Sequence, residues 1–203
     1  MSLMTATPYK INNMELKNRI IMLVMHTAFA KGGKLSEEDY AFFEARAKGS
    51  PAAITQVVGV NDEGTADSMP NVTDESFFDA EKRITDMIHS YGTKHIVQLF
   101  HRGRNAASDK GLKPIAPSNV PSGIYRNECE VMTAEKIEET VKAFADAALK
   151  LKEIGVDAVE VSMSAGYLLS LFFSPITNLR DDEYGGDEER RMKAPLDVLR
   201  AIR

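Results

Sequence analysis

Apolar positions follow two rhythms along this chain. Ile20-Ile21-Met22-Leu23-Val24-Met25 is unbroken, and such a run predicts a short strand covered on both faces, as in a parallel sheet. A loop through Gly32-Gly33 leads to a stretch with helical spacing, where Tyr40, Phe43 and Ala47 share one face. Ser36 is the predicted N-cap, Glu37, Glu38 and Asp39 place negative charge in the first turn, and Gly49 is positioned to end the helix in the left-handed conformation. The apolar run Ala53 to Val60 follows.

The phrase then recurs. A helical stretch from Asp79 to Tyr91 carries Ile84, Met87 and Ile88, ends at Gly92 and precedes the strand His95 to Phe100. Another begins near Thr133, with Glu135 in its first turn. It presents Ile137, Val141, Phe144, Ala148 and Leu151, and stops at Gly155 before the strand Ala158 to Val161. After Gly185-Gly186 a fourth helix is predicted, interrupted by Pro195 and still running at Arg203.

Strand, loop, helix, glycine, strand is the pattern of βα units, because parallel neighbours need a long crossover and a helix satisfies its own backbone. Two architectures carry such units: the doubly wound sheet and the TIM (β/α)8 barrel. The first strand-to-helix junction reads M-H-T-A-F-A-K-G-G-K, without the G-x-G-x-x-G of a dinucleotide fold. The barrel is therefore expected. A whole barrel takes about 250 residues, so residues 1–203 are read as one domain holding its first four βα units.

Composition narrows the partners. At 43% hydrophobic the chain carries enough apolar side chain for a sizeable core. Its net charge of -5 and scattered basic residues predict no nucleic-acid partner, and no apolar run approaches a membrane span. A small-molecule substrate and a cytoplasmic home are expected, the latter because Cys129 is the only cysteine, which excludes an internal disulfide or an all-cysteine metal site. His26 and His101 lack a third ligand at recognisable spacing, so no metal site is predicted.

In a parallel barrel the chemistry gathers where strands end. Those positions are Met25-His26-Thr27, Gln98 to Arg104, and Ser162 to Tyr167. Gln98 lies within a strand, where a buried amide needs both its donor and its acceptor matched; an aromatic heterocycle edge would match both. His101-Arg102-Gly103-Arg104 places three basic or titratable groups about one glycine, suited to a ligand's carbonyl or anionic groups.

L-K-N-R-I-I-M at Leu16 to Met22, M-H-T at Met25 to Thr27, Q-L-F-H-R-G-R at Gln98 to Arg104, and G-Y-L followed by T-N-L-R-D-D-E-Y-G-G resemble the old yellow enzyme family of FMN-dependent oxidoreductases. Within it the chain is most similar to the branch of 2,4-dienoyl-CoA reductases, enoate reductases and bile-acid-inducible flavoproteins. The resemblance implies a (β/α)8 barrel with FMN at its mouth and NAD(P)H as reductant, passing hydride through the flavin to an activated alkene. Val24, Met25, His26 and Thr27 would wrap the isoalloxazine edge through backbone groups and the Thr27 hydroxyl, and Gln98 would hydrogen-bond the pyrimidine ring. Tyr167 matches the tyrosine that protonates the substrate carbon in this branch, while Ser162 and Ala165 stand where classical members carry a His/Asn or His/His carbonyl clamp. The family's FMN phosphate site lies on later units, and an iron-sulfur cluster and FAD are implied only if the chain continues beyond Arg203. Asn178 to Asp182 is read as a structural loop. Two further readings are an NADH oxidase or electron-transfer protein, and an inactive half-barrel or assembly module. An open half-barrel leaves strand edges and apolar interior uncovered, so pairing with a second copy or with the remaining barrel is expected.

Overall fold

The computed structural model describes residues 3–106, 111–126 and 128–203. Its strands are β1 (Tyr9–Ile11), β2 (Met14–Leu16), β3 (Ile21–Met25), β4 (Ala53–Gly59), β5 (Lys94–Phe100), β6 (Ile115–Ala116), β7 (Glu130–Val131) and β8 (Ala158–Val161). Its helices are α1 (Glu37–Ala47), α2 (Phe77–Ser90), α3 (Ala134–Glu153), α4 (Leu168–Phe173) and α5 (Glu188–Ile202). β3, β4, β5 and β8 form a single sheet in that order. β3 and β4 run parallel, with Ile21 opposite Ala53 and Met22 opposite Ile54. A doubly wound sheet reverses its strand order at a switch point; unreversed order is that of a barrel wall.

The chain divides into two compact units: Met1–Val58, Asp67–Gln98 and Lys150–Glu160 form the first, and Gly59–Ala66, Leu99–Leu149 and Val161–Arg203 the second. In the first unit, Ser36 Oγ accepts from the Asp39 N–H at 3.2 Å while the Asp39 carboxylate accepts from the Ser36 N–H at 3.1 Å, a capping box that starts α1. Phe43 and Ala47 of α1 pack with Ile84, Met87 and Ile88 of α2 over Ile54 of β4. On the other face of the sheet Ala53 and Ile96 pack with Leu16 from the β1–β2 hairpin. Neighbouring residues 53 and 54 thus serve two cores, as the two-residue period of a strand requires. The second unit is built on Ile115, Met132, Ile137, Leu168, Phe172, Tyr184 and Ala194.

Three local expectations are corrected. β4 is buried along its whole length, whereas β3 is only half covered and Leu23 is 74% exposed. β3 is an edge strand with a neighbour on one side alone. α1 is not closed by a left-handed Gly49. Its last turn tightens, with Gly49 N–H donating to the Arg46 carbonyl and Ser50 N–H to that of Ala47, and the left-handed residue becomes Ser50 at φ 59°. Gly92 and Gly155, at φ 64° and 97°, do take that conformation after their helices. Pro195 does not interrupt α5, which runs through it with Pro195 buried. A proline deletes one intrahelical donor, and the core contact of the adjacent Ala194 offsets part of that loss.

Between the sheet and α2 lies a buried polar group of four. Gln56 Nε2 donates to Glu81 Oε2 at 3.1 Å, and the Thr85 hydroxyl donates to the Glu81 carbonyl at 2.9 Å. Thr85 Oγ1 is then left to accept from His95 Nδ1 at 3.0 Å, which fixes the Nδ1–H tautomer and turns His95 Nε2 into an acceptor facing Glu81 Oε1 at 3.6 Å. Burial pushes the Glu81 carboxyl up to about 8, against the lowering effect of the Gln56 hydrogen bond, with the charge of Asp39 adding to the rise. Burial also pulls His95 down to about 3. A neutral acid therefore sits opposite a neutral imidazole.

The sign of the resulting pH dependence follows from linkage. Between the ordinary value of 4.5 and about 8 the folded chain keeps the Glu81 proton that the unfolded chain loses, so stability falls as pH rises across that range. The contribution of His95 is lost in the opposite direction, as pH falls from 6.5 toward about 3. His101 acts in the same sense as His95, and both slopes fade as pH rises past 6.5, which leaves that of Glu81 to dominate toward pH 8. Urea midpoints should therefore decline from pH 6.5 to 8, and Glu81→Gln should abolish that decline; an unchanged slope in the variant would assign it to another group.

Candidate active site

β3 and β4 pair at Met22 with Ile54 and again at Met25 with Gln56, so three steps on β3 match two on β4. That extra residue is a bulge, which takes backbone around Leu23 and Val24 out of the ladder. Val24 is half-buried and Met25 exposed. His26 follows, exposed, with Nε2 3.0 Å from the Ser68 carbonyl oxygen. A carbonyl only accepts, so Nε2 carries the hydrogen, and in the neutral imidazole Nδ1 is an acceptor that meets no described residue.

The Thr27 hydroxyl donates to Asp39 Oδ1 at 2.5 Å. Asp39 is buried and its other oxygen accepts from the Ser36 N–H and hydroxyl, at 3.1 and 2.9 Å. The Thr27 hydrogen is thus spent, and the hydroxyl meets any ligand as an acceptor. Asp39 was legible in the sequence only as a first-turn acid; its place three residues after the N-cap Ser36 was the available signal for its buried position.

Gln98 shares the sheet face of Ile96 by strand alternation and is 9% exposed. Its Nε2 donates to Glu160 Oε1, whereas Oε1 of the amide has no hydrogen-bond partner among the described residues. Sequence reading missed Glu160. A charged residue inside the apolar run Ala158-Val159-Glu160-Val161 was the signal.

The second unit carries the remaining candidates. Tyr167 caps α4, its ring packs edge-on to Phe100 with centroids 4.4 Å apart, and its hydroxyl makes no hydrogen bond to a described residue. Two left-handed residues, Ala165 at φ 56° and Gly166 at φ 74°, reverse the chain just before it. Asn105 holds this reversal by donating from Nδ2 to the Gly166 carbonyl at 3.1 Å, while its Oδ1 accepts from the Ser122 hydroxyl at 2.6 Å. The Leu168 N–H donates to the His101 carbonyl at 3.0 Å. Gly103 is required here, since a Cβ on it would lie 2.9 Å from the Leu168 Cα. Ser162, at one of the two clamp positions, is buried.

The basic cluster departs from expectation. His101 is buried, and burial followed by the nearby Lys136 charge pulls it down to about 3, so it is neutral, with Nδ1 accepting from the Gly103 N–H at 3.0 Å. Arg104 donates to the Val120 and Pro121 carbonyls, both at 3.2 Å, and Arg102 donates to the Tyr125 hydroxyl at 3.0 Å. These groups anchor loops. The run from Asn178 to Asp182 does the same: Asn178 Nδ2 donates to the carbonyls of Phe172 and Tyr184, and Arg180 donates to Asp182 and to the carbonyls of Pro117 and Met132. Gly185 admits the Arg180 backbone at 2.4 Å from where a Cβ would stand.

Residues 6–203 match the NADH:flavin oxidoreductase / NADH oxidase family, and the chain belongs to that family, the family of old yellow enzyme. It is 38% identical over 199 residues to a metal reductase of Desulforamulus reducens, covering 97% of this chain and 30% of that protein. It is 32% identical over 200 residues to an NADPH dehydrogenase of Bacillus pumilus, covering 97% of this chain and 59% of that protein. A solved complex of 2-naphthoyl-CoA reductase with 2-naphthoyl-CoA matches with a TM-score of 0.94 and 28% identity, over 98% of this chain and 33% of that one. The chain thus spans 30% to 59% of the length of those two relatives. The predicted barrel class holds, and this chain forms part of such a barrel.

Thr27→Val should lower stability by about 1–3 kcal/mol, because buried Asp39 loses a charge-assisted hydrogen bond. A urea midpoint equal to wild type would show that Asp39 does not depend on Thr27.

Proposed function

We propose that the protein is an FMN-dependent reductase that moves hydride from NAD(P)H to the C=C bond of an α,β-unsaturated carbonyl compound of the enoyl or dienoyl class. Gln98 carries this reading. It is a nearly buried amide whose NH2 is matched by Glu160 and whose carbonyl oxygen has no partner among the described residues, so it is open to an N–H donor such as a heterocycle edge presents. The bulged backbone at Val24 and Met25, the open Nδ1 of His26 and the acceptor hydroxyl of Thr27 supply further polar contacts of the kind a flavin ring uses. FMN, when bound, would take two electrons from NAD(P)H and return them as hydride.

The chain's own groups have narrower tasks. Gln98 and residues 24–27 orient the flavin ring and set how well it tolerates negative charge. Tyr167 gives its phenol proton to the α-carbon as hydride reaches the β-carbon, and solvent restores that proton. The Tyr167 hydroxyl, which meets no hydrogen-bond partner among the described residues, and its ring, held against Phe100, suit a group that must meet a substrate. Ser162 and Ala165 replace the classical clamp, which favours the dienoyl or enoate mode of substrate holding. Among the relatives, the name NADPH dehydrogenase supports the reductant, and 2-naphthoyl-CoA reductase supports an acyl-CoA as substrate. A reducing, cytoplasmic setting suits an NAD(P)H-dependent protein whose single cysteine is Cys129.

The test is the absorbance of the purified protein, then stopped-flow kinetics. A yellow protein with bound FMN is expected. Tyr167→Phe should slow reoxidation by an enone about 100-fold or more while leaving reduction by NAD(P)H near wild type. A colourless protein that takes up no FMN overturns the flavin reading, and equal loss of both half-reactions overturns the proton-donor role.

A further inference from the structure

The partner of Gln98 has a consequence beyond the flavin reading, on which it rests. A primary amide is nearly symmetric in shape, and its C=O and NH2 ends differ only in what they donate and accept. In one sense Gln98 offers an acceptor and a donor to a ring edge; turned over, it offers them in reverse order. Burial makes the difference costly, because an amide facing like against like leaves polar atoms unmatched. Something must choose the sense.

Glu160 is placed to choose it. It stands on β8 beside Gln98 of β5, and its Oε1 accepts from Gln98 Nε2. An ionised carboxylate has no hydrogen to give, so the amide can present only NH2 to it. Oε1 of Gln98 then faces away, with no partner among the described residues, and the second N–H of the same nitrogen remains to be used. The amide so held presents one acceptor and one donor. That pair complements a ring N–H flanked by a carbonyl, the edge that the pyrimidine ring of a flavin carries. The charge on Glu160 also polarises the amide, which makes its carbonyl oxygen a stronger acceptor.

We infer that Glu160 is a positioning residue, which fixes the sense of the Gln98 amide toward the pyrimidine edge and places a negative charge behind it. Its action has two signatures. Affinity for oxidised FMN depends on Glu160 through Gln98, and not separately from it. The midpoint potential of bound flavin is held low, because a carboxylate behind the amide opposes the negative charge that reduction brings to the pyrimidine ring. A residue that merely supports the fold would not shift the balance between oxidised and reduced cofactor.

The test is a double-mutant cycle on the flavin-loaded protein with Glu160→Gln, Gln98→Ala and both together. The readouts are FMN release, followed by the return of free-flavin fluorescence, and the midpoint potential. Glu160→Gln keeps the shape of an exposed side chain and so keeps the fold, which melting curves check. It should weaken FMN binding about tenfold, the scale of one charge-assisted hydrogen bond, and should raise the potential. In the Gln98→Ala background it should weaken binding no further. Independent, multiplying effects of the two substitutions would overturn the inference while leaving the flavin reading intact, as would a Glu160→Gln protein with wild-type affinity and potential. A wild-type protein that takes up no FMN would overturn both.

Discussion

A polar side chain on a strand covered on both faces has no water to turn to, and much of the first unit follows from that constraint. β4 and β5 are buried along nearly all their length, yet they carry Gln56, His95 and Gln98. Two-residue alternation sends Gln56 and His95 to the helix side and Gln98 to the opposite face. Each is met by an acid. Glu81 waits on α2 for Gln56 and His95, and Glu160 on β8 for Gln98.

The two acids are handled differently, and the difference separates structure from function. Glu81 is fully enclosed, so burial keeps its proton on and the group becomes a neutral part of the packing. Glu160 is exposed apart from its contact with Gln98. Asp39 is a third case. It is enclosed like Glu81, but three hydrogen bonds from Ser36 and Thr27 satisfy its two oxygens. What Thr27 can offer a ligand is decided by that helix cap.

The repeating strand and helix phrase, the three buried helix faces, and the placement of Gln98 on a strand and of Tyr167 beyond one were legible because each rests on local periodicity or on motifs with fixed spacing. Ser36 as N-cap and the glycines after α2 and α3 were legible for the same reason, since cap chemistry is local. Most of the misread parts depended on neighbours distant in sequence; the close of α1 at Ser50 rather than Gly49 did not. Coverage of β3 depends on where the sheet ends, and the charge of His101 on what encloses it. The tasks of Arg102 and Arg104 depend on which loop lies beside them, and no spacing within Q-L-F-H-R-G-R records that.

By itself, the sequence determined the βα phrasing, the barrel class and the family, since hydrophobic period, turn chemistry and motif order are properties of the chain read in line. Tertiary structure alone decided which polar atoms are satisfied. It paired Gln98 with Glu160 across 62 residues and Gln56 with Glu81 across 25, and it withdrew His101 from solvent. Hydrogen bonds and charge states depend on distances of a few ångströms between elements, and those distances exist only once the helices have closed over the sheet.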